Sequence, residues 1–349
     1  MGTIKQNRAN FITTAGKLEV TGLNNDVPAS NITNASMTNV TAFPPSLGAG
    51  IKSVSSDPPS PSAGQIWFNT TTSVLKQYVL GIGTWASGGN LNTARGGIAA
   101  AGANQSASLV FGGGGPNAQT ESYNGSSWTE VNDMNTARVY LGGQGSQTAA
   151  LAMGGSSPST YTESWDGSSW TEVNDLNTGR DTLGSGSGAA TVAIVVGGWK
   201  NPGVGAEVEL WDGSSWTEVA EMNTARNGPF TSGTSTAALT SGGSVEPGVQ
   251  TKAENWNGSS WTEVGDLNTA RYNGGAAGTS ALALIFAGSN QAGTVDAETE
   301  LFDGTTWSEQ NDLSTARYYV DGAGVAQSDA ILAGGLSPST SNATEEWTQ

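Results

Sequence analysis

From Leu91 to the C-terminus, apolar positions fall in short runs separated by glycine-rich or polar turns, and the runs recur in one order. Each period opens on small residues, as in Gly96-Gly97-Ile98-Ala99-Ala100-Ala101-Gly102. An apolar run ending in Gly-Gly follows: Leu109-Val110-Phe111-Gly112-Gly113, Leu151-Ala152-Met153-Gly154-Gly155, Ile194-Val195-Val196-Gly197-Gly198. Ser241-Gly242-Gly243, Phe286-Ala287-Gly288 and Leu332-Ala333-Gly334-Gly335 continue the series. After a loop of variable length comes a strand bearing Tyr123, Trp165, Trp211, Trp256, Phe302 or Trp347, then one bearing Trp128, Trp170, Trp216, Trp261 or Trp307. Between these two strands lies Asn124-Gly125, Asp166-Gly167, Asp212-Gly213, Asn257-Gly258 or Asp303-Gly304. Asn-Gly and Asp-Gly predict tight hairpins centred on two residues, because both can take positive φ. Each period is therefore four short strands, the first small enough to crowd near an axis and the second apolar enough to be buried.

The last two strands and their exit form an eighteen-residue block, Glu121–Arg138, that returns at Glu163–Arg180, Glu209–Arg226, Glu254–Arg271 and Glu300–Arg317. A sixth copy is split between the chain ends: Glu345-Glu346-Trp347 supplies its start, and Thr84-Trp85 through Asn92-Thr93-Ala94-Arg95 its end. Four-stranded units repeating every 40–50 residues or so define a β-propeller. Arg95, Arg138, Arg180, Arg226, Arg271 and Arg317 count six blades. The split copy predicts that the strand around Trp85 completes the last blade, which removes an exposed sheet edge.

Ahead of the propeller the character differs. Residues 1–64 are polar and Asn/Thr/Ser-rich, with too few apolar residues for a core, and read as an extended arm held by a partner or by another copy of the chain. Residues 65–84 read as a β-hairpin connector, with Gln65-Ile66-Trp67-Phe68 and Val74-Leu75-Lys76-Gln77-Tyr78-Val79 flanking a polar turn. Residues 85–349 are then the propeller.

Charge narrows the function. The net charge of −17 lies almost wholly outside the arm, where four basic residues face three acidic ones. An acidic coat repels nucleic acid, which is bound by Lys and Arg neutralising phosphates, and it repels anionic membrane surfaces equally. No apolar stretch is long enough to span a membrane. The chain has neither cysteine nor histidine, which excludes disulfides, Cys–His zinc sites, thiol nucleophiles and a Ser-His-Asp triad. No metal or cofactor is expected.

The Gly-Gly, the aromatic two residues after Glu, the Trp five residues further on and the Thr-Ala-Arg resemble kelch-type repeats over residues 85–349. The near-verbatim D/N-G-S-S-W-T-E-V and L-N-T-A-R resemble kelch-like structural proteins of marine bacteriophages. Val27–Ala35 and Gly64–Thr72 are similar to stretches that precede receptor-binding domains in phage tail fibres. The resemblance implies a phage virion protein, a tail fibre or surface appendage without enzymatic activity. Its arm would dock on other virion proteins, and its propeller would meet a host-surface glycan or protein. Homo-oligomers are expected on such a particle. A connector contacting only virion proteins, and a carbohydrate-active enzyme on the same scaffold, stand as alternatives.

Candidate residues divide by whether they repeat. The six Arg residues, with Trp85, Trp128, Trp170, Trp216, Trp261 and Trp307, keep the repeat and read as framework, each Arg paired with a Glu of its own or a neighbouring blade. The Asp-Gly-Ser-Ser-Trp run resembles the Asp-box of sialidases with one spacer missing, and that box is itself a structural turn. A glycosidase needs two carboxylates roughly 5–10 Å apart, and no spacing singles out such a pair. Recognition is expected where repetition fails, in the loops after Gly-Gly. Their candidates are Trp199, Lys200, Asn201, Glu246, Asn290 and Gln291. Trp199 beside Lys200 is read two ways, as a ring that stacks on a sugar or as cover for an adjacent blade.

Overall fold

The computed structural model describes residues 52–56, 66–71, 74–77, 82–245, 248–290 and 293–349, and the chain forms two compact units, 1–81 and 82–349. Candidates Glu246 and Gln291, and most of the arm, lie outside the described residues. In the first unit, Ile66–Asn69 pairs antiparallel with Val74–Gln77 and parallel with Lys52–Val54, a strand from the stretch read as the arm. The Thr70 amide donates to the Val54 carbonyl at 2.8 Å, and Trp67 is buried.

The second unit is a six-bladed propeller, and every described segment of regular structure is β. Blade 1 is Ala99–Asn104, Ala107–Phe111, Thr120–Tyr123 and Trp128–Val131. Blades 2 to 5 begin at Gly142, Gly184, Phe230 and Gly275 and repeat this antiparallel order. Blade 6 takes Asp321–Ala326, Asp329–Ala333 and Thr344–Thr348 from the C-terminus and Thr84–Ser87 from the N-terminal side. Trp347 faces Trp85 across that seam in the register that sets Tyr123 against Trp128 in blade 1. The expected closure is thus present.

Packing follows from the strand roles. The outer-strand Trp of each blade is wedged against the apolar second strand of the blade before it: Trp170 meets Phe111 and Trp85 meets Phe286, each at 4.9 Å. Tyr123–Trp128, Trp165–Trp170, Trp211–Trp216, Trp256–Trp261 and Phe302–Trp307 stack within blades. Truncating one such buried Trp to Ala costs about 3–5 kcal/mol.

The hairpins between these aromatics differ from expectation. Tyr123 pairs with Trp128, so the loop is the four residues Asn124–Ser127, not a two-residue turn. Only the glycine takes positive φ, 90° at Gly125 and 95° at Gly167. The preceding Asp or Asn acts through its side chain instead. Asp166 Oδ1 accepts from the Ser168 amide and hydroxyl and from the Ser169 amide, each at 2.8 Å. The Ser169 amide bond, then those of Ser168, hold its pKa down at about 2, as the Ser215 and Ser214 bonds do for Asp212.

Strand direction defines two faces. Inner strands run from the axial end at the Arg residues to turns such as Gln105-Ser106, and the Asn124–Ser127 type of loop lies on that same, basal side. The loops after Gly-Gly and the Asn-Thr-Ala-Arg segments gather on the opposite, upper face. The chain joins the propeller at Ile82, on the basal side, and ends there, with the Gln349 amide donating to the Ser328 carbonyl.

Candidate functional site on the upper face

Each framework Arg leads into one blade and pairs with the Glu on that blade's third strand. The pairs are Arg95–Glu121 (2.8 Å), Arg138–Glu163 (2.9 Å), Arg180–Glu209 (2.7 Å), Arg226–Glu254, Arg271–Glu300 (2.8 Å) and Arg317–Glu345. The partner therefore belongs to the next block, not to the block that the Arg closes. Arg95 Nη1 also donates to the carbonyls of Gly112 (2.9 Å) and Gln119 (2.7 Å), which tie the two ends of the loop together. The other oxygen of Glu121 accepts from the Asn92 amide and side chain, and Asn92 reaches on to the Trp128 carbonyl. Burial lowers the guanidinium pKa values of Arg95, Arg138, Arg180, Arg226 and Arg317, and the facing carboxylates oppose it. The backbone adds a second tie. The amides of Gly113, Gly155, Gly198, Gly243, Gly288 and Gly335 donate to the carbonyls of Arg138, Arg180, Arg226, Arg271, Arg317 and Arg95. At the first position of each pair φ is positive, and a Cβ on Gly242 would lie 2.5 Å from the Arg271 carbonyl oxygen.

Two residues beyond each Arg lies a feature that no side-chain repeat announced. Gly97, Tyr140, Thr182, Gly228, Asn273 and Tyr319 all have left-handed backbone, with φ between 44° and 67°. Each donates its amide to the carbonyl of the one before, at 2.7–2.9 Å, and Gly97 donates to Tyr319. Six hydrogen bonds thus close a circle around the axial mouth. A non-glycine residue in this conformation costs roughly 1–2 kcal/mol. Tyr140, Thr182 and Tyr319 carry that cost, and Asn273, a residue type that tolerates this region, carries less of it.

Those side chains are unlike. Tyr140 leans over Gly97, where a Cβ would sit 2.9 Å from its ring, and meets Tyr319 at 4.6 Å. Tyr318 extends the group, 4.7 Å from Tyr319. Opposite, Asn273 covers Gly228. Below the circle a cup of about 60 Å³ is lined by Tyr140, Tyr319, Thr182, Asn273 and one carboxylate, Asp321. Asp321 accepts from the Ala100 and Gly322 amides at 2.9 and 2.8 Å, yet burial pushes its pKa up to about 7. Burial, then neighbouring tyrosines, pushes Tyr319 up to about 12.

The upper loops begin beside this mouth. Trp199 exchanges both backbone hydrogen bonds with Asp181, at 2.8 and 2.9 Å, and Ser244 does the same with Asn227. Trp199–Lys200 pairs with Gly203–Val204 as a small hairpin, and the Trp199 side chain is 42% exposed. Lys200 is ion-paired with Glu207, so its charge is already matched. Asn201 is exposed. Asn290 accepts from the Thr294 amide at 3.1 Å and shapes its own loop. Of the six candidates, Trp199 and Asn201 stand exposed on one hairpin beside the mouth, and Asn290 lies on another loop. Every Lys and Arg of residues 82–349 is ion-paired, Lys252 with Glu263 at 2.6 Å. Among the described residues no cluster of three or more acidic groups is placed to hold a metal ion.

Comparison with known proteins agrees on architecture. No family profile matches the chain, and no curated protein matches it. Among solved structures, that of YjhT superposes with a TM-score of 0.60 at 12% identity, over 73% of this chain and 95% of that one. The chain is a six-bladed β-propeller, and at that identity the likeness speaks for the fold alone.

Proposed function

We propose that the protein is a kelch-like component of a bacteriophage virion, non-enzymatic, which displays its propeller for attachment to a host-surface glycan or protein. The observation that carries this reading is the polarity of the ring. The chain joins the propeller on the basal side at Ile82, while the unequal loops, exposed Trp199 and the tyrosine-lined mouth face the other way. Such a propeller, held by its N-terminal side, turns its variable face outward. Several copies on one particle would add avidity through effective concentration. A single carboxylate in the axial cup argues against a two-carboxylate glycosidase.

The connector reading has one observation in its favour. Val192, Leu282 and Val325, at basal turns of three blades, are 42–45% exposed and would be covered by a neighbouring virion protein. Adsorption of fluorescently labelled full-length protein to a panel of marine bacteria separates the two. Attachment predicts saturable binding to some strains, reduced by Trp199→Ala at unchanged melting temperature. Adsorption to none of them would favour the connector, and wild-type adsorption by the variant would remove Trp199 from the site.

A further inference from the structure

Attachment leaves open what the upper face grips, and the circle of left-handed residues bears on that. Its hydrogen bonds need only backbone, and Gly97 and Gly228 satisfy them without strain. At four positions the chain instead keeps Tyr140, Thr182, Asn273 and Tyr319. The circle itself does not call for those side chains, and strained backbone kept in this way points to a use for them beyond the circle.

Their chemistry is specific. Tyr140, Tyr318 and Tyr319 pack ring against ring at 4.6 and 4.7 Å with tilts of 47° and 35°, which makes an aromatic cluster rather than a box around a cation. None of the three hydroxyls is bonded within the described residues, so each is available to a ligand. Burial keeps Tyr140 and Tyr319 as neutral phenols able to donate. Asp181 and Asn273 add acceptors and donors at the rim, while the Thr182 hydroxyl is engaged by Asp181, at 3.0 Å, and by Asn227. The mouth offers no unpaired cation, since every Arg and Lys of residues 82–349 has its carboxylate. An anionic ligand would find nothing to neutralise it on a chain of net charge −17.

We propose that the axial mouth binds a neutral saccharide, packed by its C–H face against the cluster of Tyr140, Tyr318 and Tyr319 and hydrogen-bonded through its hydroxyls by the tyrosine hydroxyls, Asn273 and Asp181. This deepens the attachment reading and rests on it for the biological source of the sugar. The cup below takes the edge of one ring, and the remainder lies across the tyrosines.

The test is titration of the full-length chain with neutral methyl glycosides and oligosaccharides of glucose, galactose, mannose and N-acetylglucosamine, followed by calorimetry or saturation-transfer NMR. Sialyllactose and a trimethylammonium probe serve as charged comparators. At least one neutral sugar should bind, and both charged probes should not. The double variant Tyr140→Gly with Tyr319→Gly copies what Gly97 and Gly228 already do, so its melting temperature should hold or rise. Its affinity should drop about tenfold or more, the loss of two stacking contacts. Ala287→Gly relieves left-handed backbone away from the mouth and should bind as wild type. If the double variant loses its cooperative melt, Tyr319→Phe replaces it, with an expected loss of about fivefold from one hydroxyl. No neutral sugar bound, preference for a charged probe, or wild-type affinity in these mouth variants overturns the proposal. Cell adsorption distinguishes the two readings. Undiminished adsorption of the double variant overturns the mouth proposal and leaves attachment standing. Sugar binding without adsorption to any cell does the reverse.

Discussion

Two positions that lie two residues apart in the chain behave in opposite ways. At the first, Arg95 and its five equivalents, the side chain joins the parts of the blade, and it is the same six times. At the second, Gly97 to Tyr319, the backbone does the joining, and the side chain is different almost every time. Where a contact is made by a side chain, the residue is fixed. Where it is made by amide and carbonyl, the residue is released for other use. Framework and the residues proposed for recognition are thereby interleaved in one segment rather than placed in separate regions.

The largest expected effect lies on the framework side. Deleting Glu345–Gln349 removes Trp347, the partner of Arg317 and most of the strand that holds Thr84–Ser87. Lost burial of Trp347 alone, about 3–5 kcal/mol at roughly 2–4 °C per kcal/mol, should lower the melting temperature by roughly 10 °C or more. An unaltered melt would mean that the seam does not hold the ring. Next comes Arg226→Ala, which strands Glu254 without a counter-charge in a buried site and should cost about 3–5 kcal/mol by urea unfolding. A change within experimental scatter would make the ion pair ornamental and break the comparison.

The last effect is a slope with pH at the mouth. Asp321 is held at about 7 when folded, above its ordinary 3.8, so the folded chain keeps a proton that the unfolded chain gives up. Stability should fall as the pH rises from about 4 to about 7 and level off above that. Asp166 and Asp212, held at about 2, act with opposite sign, and their contribution is lost as the pH falls from about 4 to about 2. Asp321→Asn should flatten only the first slope, measured by urea midpoints across pH. An unchanged slope would place that proton elsewhere.

The blades, their number and the split closure were legible because Gly-Gly, the two aromatics and Arg recur in phase. The ion pair was legible in kind but not in pairing. Within a block Glu and Arg keep one spacing, which draws the eye, whereas the true partners stand 25–29 residues apart across the unequal loops. The hairpin was misjudged at Asp166-Gly167 because the following serines, bonded to Asp166, belong to the loop as well. The circle at the mouth could not be seen from residue types, since Gly, Tyr, Thr, Gly, Asn and Tyr share no chemistry. What they share is a backbone angle. The one trace is that an otherwise strict repeat fails in the two residues after every Arg.

The seam in blade 6 also has a mechanical consequence. Thr84–Ser87 runs from the basal side toward the upper face and pairs antiparallel with Glu345–Thr348 along its whole length. If the propeller is tethered through Ile82 and pulled from its upper face, the load travels along that strand. Antiparallel hydrogen bonds lie across the strand direction, so they are sheared together instead of opened one by one. The join made from the two ends of the chain is therefore oriented to resist tension along the axis on which a tethered propeller would be pulled.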